Sequence, residues 1–116
     1  MDDTIVYVDT DDGLKRVMNN KKLYVKLLNK FINETYLNDL AAALDAKDLD
    51  KAQIAAHTIK GVAANLSLVE LQKQALEVET QVKNKSVEPG ALESFTNCYQ
   101  TTLSEVDKVI KQYDGG

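Results

Sequence analysis

The sequence contains one histidine, His57, and two informative residues follow it. Lys60 and Gly61 lie three and four positions later, so in a helix both share the face of His57. A neutral imidazole nitrogen can attack a phosphoryl donor, and a nearby ammonium group can balance the charge of the phosphate. Glycine inside a helix costs about 1 kcal/mol relative to alanine, which indicates that Gly61 leaves room for another molecule. The three residues therefore suit phosphoryl transfer through the imidazole.

A helical wheel places His57 on the outer face of its helix. At about 100° per residue the apolar positions of this segment cluster within roughly 120°, and His57 falls about 170° from their centre. Gln53 and Ala64 lie on the same outer side as His57. We therefore expect the imidazole to face outward. The apolar positions are Ala52, Ala55, Ala56, Ile59, Val62, Ala63 and Leu66.

The spacing of apolar residues predicts helices, and no window shows the alternation of a half-buried strand. A short first helix should begin after Asp9 or Thr10, and Asn19 and Asn20 should break it. A second helix is expected over residues 21–45, and a third follows its N-cap, Asp48. The apolar side of the first helix would consist of Leu14, Val17 and Met18.

A fourth and a fifth helix complete the pattern. Ser67 and Glu70 have the spacing of a capping box, so the fourth helix should start there and end near Lys85. Pro89 suits the first turn of the fifth helix. Four long apolar stripes joined by short polar turns predict an all-α fold, namely an antiparallel up-down four-helix bundle with a short additional N-terminal helix.

Composition and charge restrict the class of protein. The formal charge is −4, which disfavours a nucleic-acid partner because binding to phosphate backbones needs a basic surface. No apolar run approaches the roughly 20 residues of a membrane-spanning helix, so we expect no membrane insertion. The start of the chain does not resemble a signal peptide. We expect one cytoplasmic domain of 116 residues, with residues 1–9 as a lead-in and 114–116 as a frayed tail.

Other chemistries agree less well with the sequence. The positions one turn away from His57 hold no second imidazole or carboxylate, so we expect no metal site. Cys98 is the only cysteine, which excludes an internal disulfide, and it borders the apolar stripe of the last helix as a core residue would. The aspartates before residue 13 lack the spacing and the final glutamate of a calcium-binding loop.

Residues 56–66 resemble the signature of the histidine-containing phosphotransfer (HPt) domains of multistep phosphorelays. The resemblance extends beyond the H-x-x-K-G core. It includes the acidic and apolar lead-in at Asp48 and Leu49, the small residues after Gly61, and the L-x-x-x-A-L-E pattern over residues 71–77. It covers most of the chain, and the last helix is supported only by its apolar pattern.

The resemblance implies that His57 carries the phosphoryl group on Nε2, that Lys60 helps to neutralise it, and that Gly61 gives a receiver domain room to dock. HPt domains accept the group from the aspartate of one response-regulator receiver and pass it to another, while the receiver holds Mg²⁺. Glu79 falls where some members have a glutamine near the histidine. The candidate docking residues besides Gly61 are Gln53, Ala64 and Leu68.

Three functions are compatible with these observations. The first is a phosphocarrier without an ATP site of its own, either a stand-alone HPt protein or an HPt domain of a hybrid histidine kinase; whether it counts as an enzyme stays open. The second is the phosphotransfer domain of a chemotaxis-type kinase, which a separate catalytic domain phosphorylates from ATP. The third is a non-catalytic helical adaptor that binds a partner and never carries phosphate.

Overall fold

The computed structural model describes residues 5–114, which form six α-helices and no strand. Residues 1–4 of the predicted lead-in and residues 115–116 of the predicted tail lie outside the described part. The last helix includes residue 114, the first residue of the predicted tail. The helices are α1 (Thr10–Arg16), α2 (Lys21–Asn33), α3 (Tyr36–Asp45), α4 (Leu49–Leu66), α5 (Val69–Lys83) and α6 (Ala91–Asp114).

The helices form a bundle, which confirms the predicted all-α fold class. The α2–α3 segment, α4, α5 and α6 pack around one apolar core, and the short α1 packs against α2 and α4. None of the described helices is long and apolar enough to cross a membrane. Burial of the apolar faces is the main force that holds such a bundle together. The largest fully buried apolar side chains are Tyr24, Leu28, Phe31, Leu40, Ile59, Leu68, Leu71, Phe95 and Val106.

The single helix predicted over residues 21–45 is wrong, because the chain leaves the helical conformation at Glu34 and Thr35. Glu34 is extended, with φ −84° and ψ 161°. Phe31 and Leu40 are both buried. At about 100° per residue their spacing would put them on opposite sides of a straight helix, so one helix could not bury both. The interruption between α2 and α3 allows both side chains to face the core.

The first helix starts as predicted. Asp9 caps it by accepting a hydrogen bond from the backbone N–H of Asp12. Leu14 and Val17 pack against the core. The prediction is wrong at Met18, which is 90% exposed, because α1 ends before it and its φ of 55° places it in the turn.

The predicted capping box at Ser67 is also wrong. Ser67 ends α4 in the left-handed conformation, with φ 58° and ψ 40°, and Leu68 precedes α5 without a side-chain cap. The Ser67 hydroxyl donates instead to Oδ2 of Asp12 at 2.6 Å, and its carbonyl accepts from the N–H of Asp9 at 2.9 Å. The link between α4 and α5 therefore has two residues and ties α1 to the corner of the bundle.

The last helix begins later than predicted. Pro89 precedes it instead of lying in its first turn, and Gly90 adopts a φ of 83° before the helix starts at Ala91. Cys98 is buried in the core, as predicted, and this burial raises the pKa of its thiol.

Candidate functional site

His57 stands in the middle of α4, on the side that faces away from the core. Asp48 caps the helix by accepting from the N–H of Lys51, so the register of α4 is set from its first turn. Ala56 and Ile59 are fully buried. The side chain of His57 is 68% exposed, which is the outward orientation that the helical wheel predicts.

Glu79 on α5 orients the imidazole ring. Its Oε2 lies 3.0 Å from Nδ1 of His57, and its side chain is only 10% exposed because α5 buries that face. An ionised carboxylate only accepts hydrogen bonds, so Nδ1 carries the proton. Nε2 then keeps its lone pair, and this nitrogen has no hydrogen-bond partner among residues 5–114. The contact therefore prepares Nε2 as the nucleophile.

Lys60 contacts the other oxygen of the same carboxylate. Its Nζ lies 2.7 Å from Oε1 of Glu79, and its side chain is 29% exposed. The contact with Lys60, supported by the hydrogen bond with His57, holds the pKa of Glu79 below its ordinary value although burial opposes this. Glu79 is consequently ionised near neutral pH, and Lys60 is already engaged in an ion pair.

The predicted docking residues divide into two groups. Gly61 is exposed, and a Cβ added to it would meet no atom within 4 Å, so the space that the sequence indicated is present. Gln53 and Ala64 are partly exposed on the side of α4 that carries His57. Leu68 is fully buried and cannot touch a docked partner, so its prediction as a docking contact is wrong. Its apolar character serves the core instead.

A surface depression lies beside the imidazole, and the sequence did not indicate four of its residues, among them Ile54 and Lys83. Ile54 is 67% exposed three positions before His57, and an apolar residue on an outward position was the available signal. Lys83 lies one turn after Glu79, and only the packing of α5 on α4 brings it to the site. The depression is lined by Asp50, Gln53, Ile54, His57, Thr58, Glu79 and Lys83.

Metal-binding side chains are not clustered in the part of the chain that the structure describes. No three His, Cys, Asp or Glu side chains come together there as the ligands of a metal ion would. The carboxylate that contacts the ring of His57 belongs to Glu79, and both of its oxygens already have partners.

A comparison with protein-family models matches the Hpt domain over residues 27–109. The match covers more than half of the chain and includes His57, Lys60, Gly61 and Glu79. The protein therefore belongs to the Hpt domain family, which confirms the resemblance seen in the sequence. Membership implies histidine phosphotransfer in two-component signalling, with histidine kinases and receiver domains as partners. Neither the curated proteins nor the solved structures gave a significant match.

Proposed function

We propose that this protein relays a phosphoryl group between receiver-domain aspartates in the cytoplasm and carries it on Nε2 of His57. The contact between Glu79 and Nδ1 supports this most directly, because it fixes the tautomer in which Nε2 is the nucleophile. The exposure of the ring supports it as well, since a partner must reach that nitrogen.

The reaction uses the lone pair of Nε2. This nitrogen attacks the phosphorus of an aspartyl phosphate, the P–N bond forms, and the aspartate carboxylate leaves with the electron pair of the broken P–O bond. The Nδ1 proton stays on the phosphorylated ring, which becomes positively charged, and Glu79 stabilises that charge. In the second transfer an aspartate oxygen of the next receiver attacks the phosphorus, and Nε2 takes its electron pair back. Mg²⁺ held by the receiver would neutralise the phosphoryl oxygens.

Besides a reactive Nε2, phosphoryl transfer requires that the receiver can approach the ring of His57 closely. Gly61 presents no side chain beside His57, and Ala64 on the following turn is also small. Ile54 offers apolar surface, and Gln53 offers an amide that can hydrogen-bond. A receiver that docks on this face can bring its aspartate to Nε2 without displacing any bulky side chain.

Labelling tests the proposal. The protein is incubated with receivers that carry radioactive aspartyl phosphate, and we expect label that is stable in base and labile in acid. His57→Gln should remove the label, and Gly61→Gln should weaken transfer by filling the docking space. Receiver binding is measured separately for each variant. If the wild-type protein binds receivers but takes label from none of them, the proposal fails. If no kinase labels it from ATP either, it is the helical adaptor.

The carboxylate of Glu79 also favours a second candidate. It presents Nε2 as the nucleophile whatever the phosphoryl donor is, so Nε2 could equally attack the γ-phosphorus of ATP held by a separate catalytic domain. This is the role of the phosphotransfer domain of a chemotaxis-type kinase. Label that arrives from ATP in the presence of such a domain, and not from any phosphorylated receiver, would distinguish this candidate.

A further inference from the structure

We propose that the two lysines near His57 have different tasks: Lys83 neutralises the phosphoryl group on Nε2, and Lys60 is a positioning residue that holds Glu79. The inference deepens the proposed function and rests on it. It also reassigns the role that the family resemblance gives to Lys60.

The environment of Lys60 argues that its ammonium stays where it is. Oε1 of Glu79 is buried, and in the described part of the chain its only partner is the ammonium of Lys60 at 2.7 Å. Breaking a buried ion pair is costly because it leaves a charge without a partner. If Lys60 turned to a phosphate on His57, Glu79 would lose that partner. Its carboxylate would then orient the ring less well.

Lys83 is in the opposite situation. It lines the same depression as His57, its side chain is exposed, and no ion pair within residues 5–114 engages its ammonium. A lysine is a flexible donor that can turn toward a new anion without breaking an existing contact. It lies one turn after Glu79 on α5. This helix therefore supplies both the group that orients the ring and a cation for the phosphoryl group on Nε2.

The charges around the depression also point to Lys83 as the cation that neutralises the phosphoryl group. A phosphoryl group on Nε2 is dianionic and enters a depression whose other charged lining residues are Asp50, Glu79 and Lys83. Glu79 is compensated by Lys60, and Asp50 repels the phosphoryl group. Lys83 is therefore the uncommitted cation that this depression offers.

The test phosphorylates His57 chemically, without any receiver. Nε2 attacks the phosphorus of phosphoramidate, and ammonia leaves with the electron pair of the P–N bond. The chain has one histidine, so every phosphohistidine signal in the ³¹P spectrum belongs to His57. The pKa of its phosphoryl group is read from the shift of this signal with pH in the wild type, Lys83→Gln, Lys60→Gln and Lys73→Gln. Lys73→Gln is the matched control, because Lys73 is an exposed lysine of α5 that does not line the depression.

A cation beside a phosphate lowers its pKa, so Lys83→Gln should raise the pKa of the phosphoryl group by roughly half a unit. Lys60→Gln and Lys73→Gln should leave it unchanged. Lys60→Gln should instead alter the tautomer of unphosphorylated His57, which ¹⁵N shifts of the imidazole report. The proposal is overturned if Lys83→Gln matches the wild type, or if Lys60→Gln raises the pKa of the phosphoryl group.

The two proposals can fail separately. If receivers never label the wild type but Lys83→Gln raises the pKa of the phosphoryl group, the relay is wrong and the charge assignment stands. If receivers label the wild type and Lys83→Gln changes nothing, the relay stands and the assignment of Lys83 is wrong.

Discussion

Nδ1 of His57 and Oε2 of Glu79 lie 3.0 Å apart across the contact between α4 and α5. The histidine is mostly exposed and the glutamate is almost buried. The reactive ring is therefore oriented by a group that solvent barely reaches, and both helices are needed to define it.

Replacing the carboxylate tests the tautomer. In Glu79→Gln the amide can offer either its oxygen or its NH₂ group to Nδ1, so the preference for a proton on Nδ1 should weaken. We expect the ¹⁵N shifts of His57 to show a protonated Nδ1 in the wild type and a shift toward a protonated Nε2 in the variant. Transfer from a receiver should slow in parallel. Unchanged ¹⁵N shifts would contradict the role of Glu79.

Replacing the histidine tests whether its side chain contributes to the stability of the fold. Because His57 is 68% exposed, His57→Gln should change the free energy of unfolding by less than about 0.5 kcal/mol. Ile59→Ala is the contrast, since Ile59 is fully buried two positions later on the same helix and should cost about 2–5 kcal/mol. Urea denaturation followed by circular dichroism measures both. A large loss in His57→Gln would mean that the ring is part of the packing.

Replacing each of two helical glycines by alanine should change the stability of the protein in opposite directions. Gly61 faces open space, so Gly61→Ala should stabilise the protein by about 0.5–1 kcal/mol through helix propensity. A Cβ on Gly13 would collide with the buried ring of Tyr24, whose hydroxyl donates to the carbonyl of Leu66 at 2.8 Å. Gly13→Ala should therefore destabilise the protein by roughly 1–3 kcal/mol. Urea denaturation measures the free energy of unfolding of both variants. If both substitutions stabilise the protein, or both destabilise it, the packing described for one of the two glycines is wrong.

Acid should weaken the attachment of α1. The hydrogen bond from Ser67, together with Arg16, lowers the pKa of Asp12 from its ordinary 3.8. A lowered pKa in the folded state contributes stability above the unfolded value, and this contribution disappears as the pH falls through the folded value. Asp12→Asn should therefore be less stable than the wild type at neutral pH, and the difference should close below pH 3.8.

The partner of Asp12 supplies the control. Ser67→Ala removes the donor, so at neutral pH it should cost less stability than Asp12→Asn, which also loses the ion pair between Asp12 and Arg16. The double variant should lose little more than Asp12→Asn alone, because both substitutions act on the same hydrogen bond. Additive losses in thermal unfolding would show that the two side chains act independently.

Local patterns predicted much of the fold. The caps at Asp9 and Asp48 and the apolar stripe of α4 depend on neighbouring residues only, and the structure has them as expected. The interruption after Phe31 was readable in principle, since the spacing to Leu40 conflicts with one straight helix. Ser67 could not be assigned from local spacing, because its hydroxyl bonds to Asp12, which is distant in the sequence.

The site shows the same division between local and distant information. His57, Lys60 and Gly61 lie on one helix, so helical spacing was enough to group them. The pairing of Lys60 with Glu79, and the presence of Lys83 beside the ring, depend on how α5 packs against α4. The spacing of residues within one helix does not show how α5 is aligned against α4. The residues that do the chemistry were thus easier to predict than the residues that tune it.

The two-residue corner of Ser67 and Leu68 makes the site sensitive to chain length. One amino acid inserted there would turn every later position of α5 by about 100° relative to α4 and carry Glu79 away from the ring. An insertion in residues 84–90, after α5 has ended, would leave the pair aligned. Relatives of this chain should accordingly tolerate insertions and deletions behind α5 and reject them at the corner, where the number of residues matters as much as their identity.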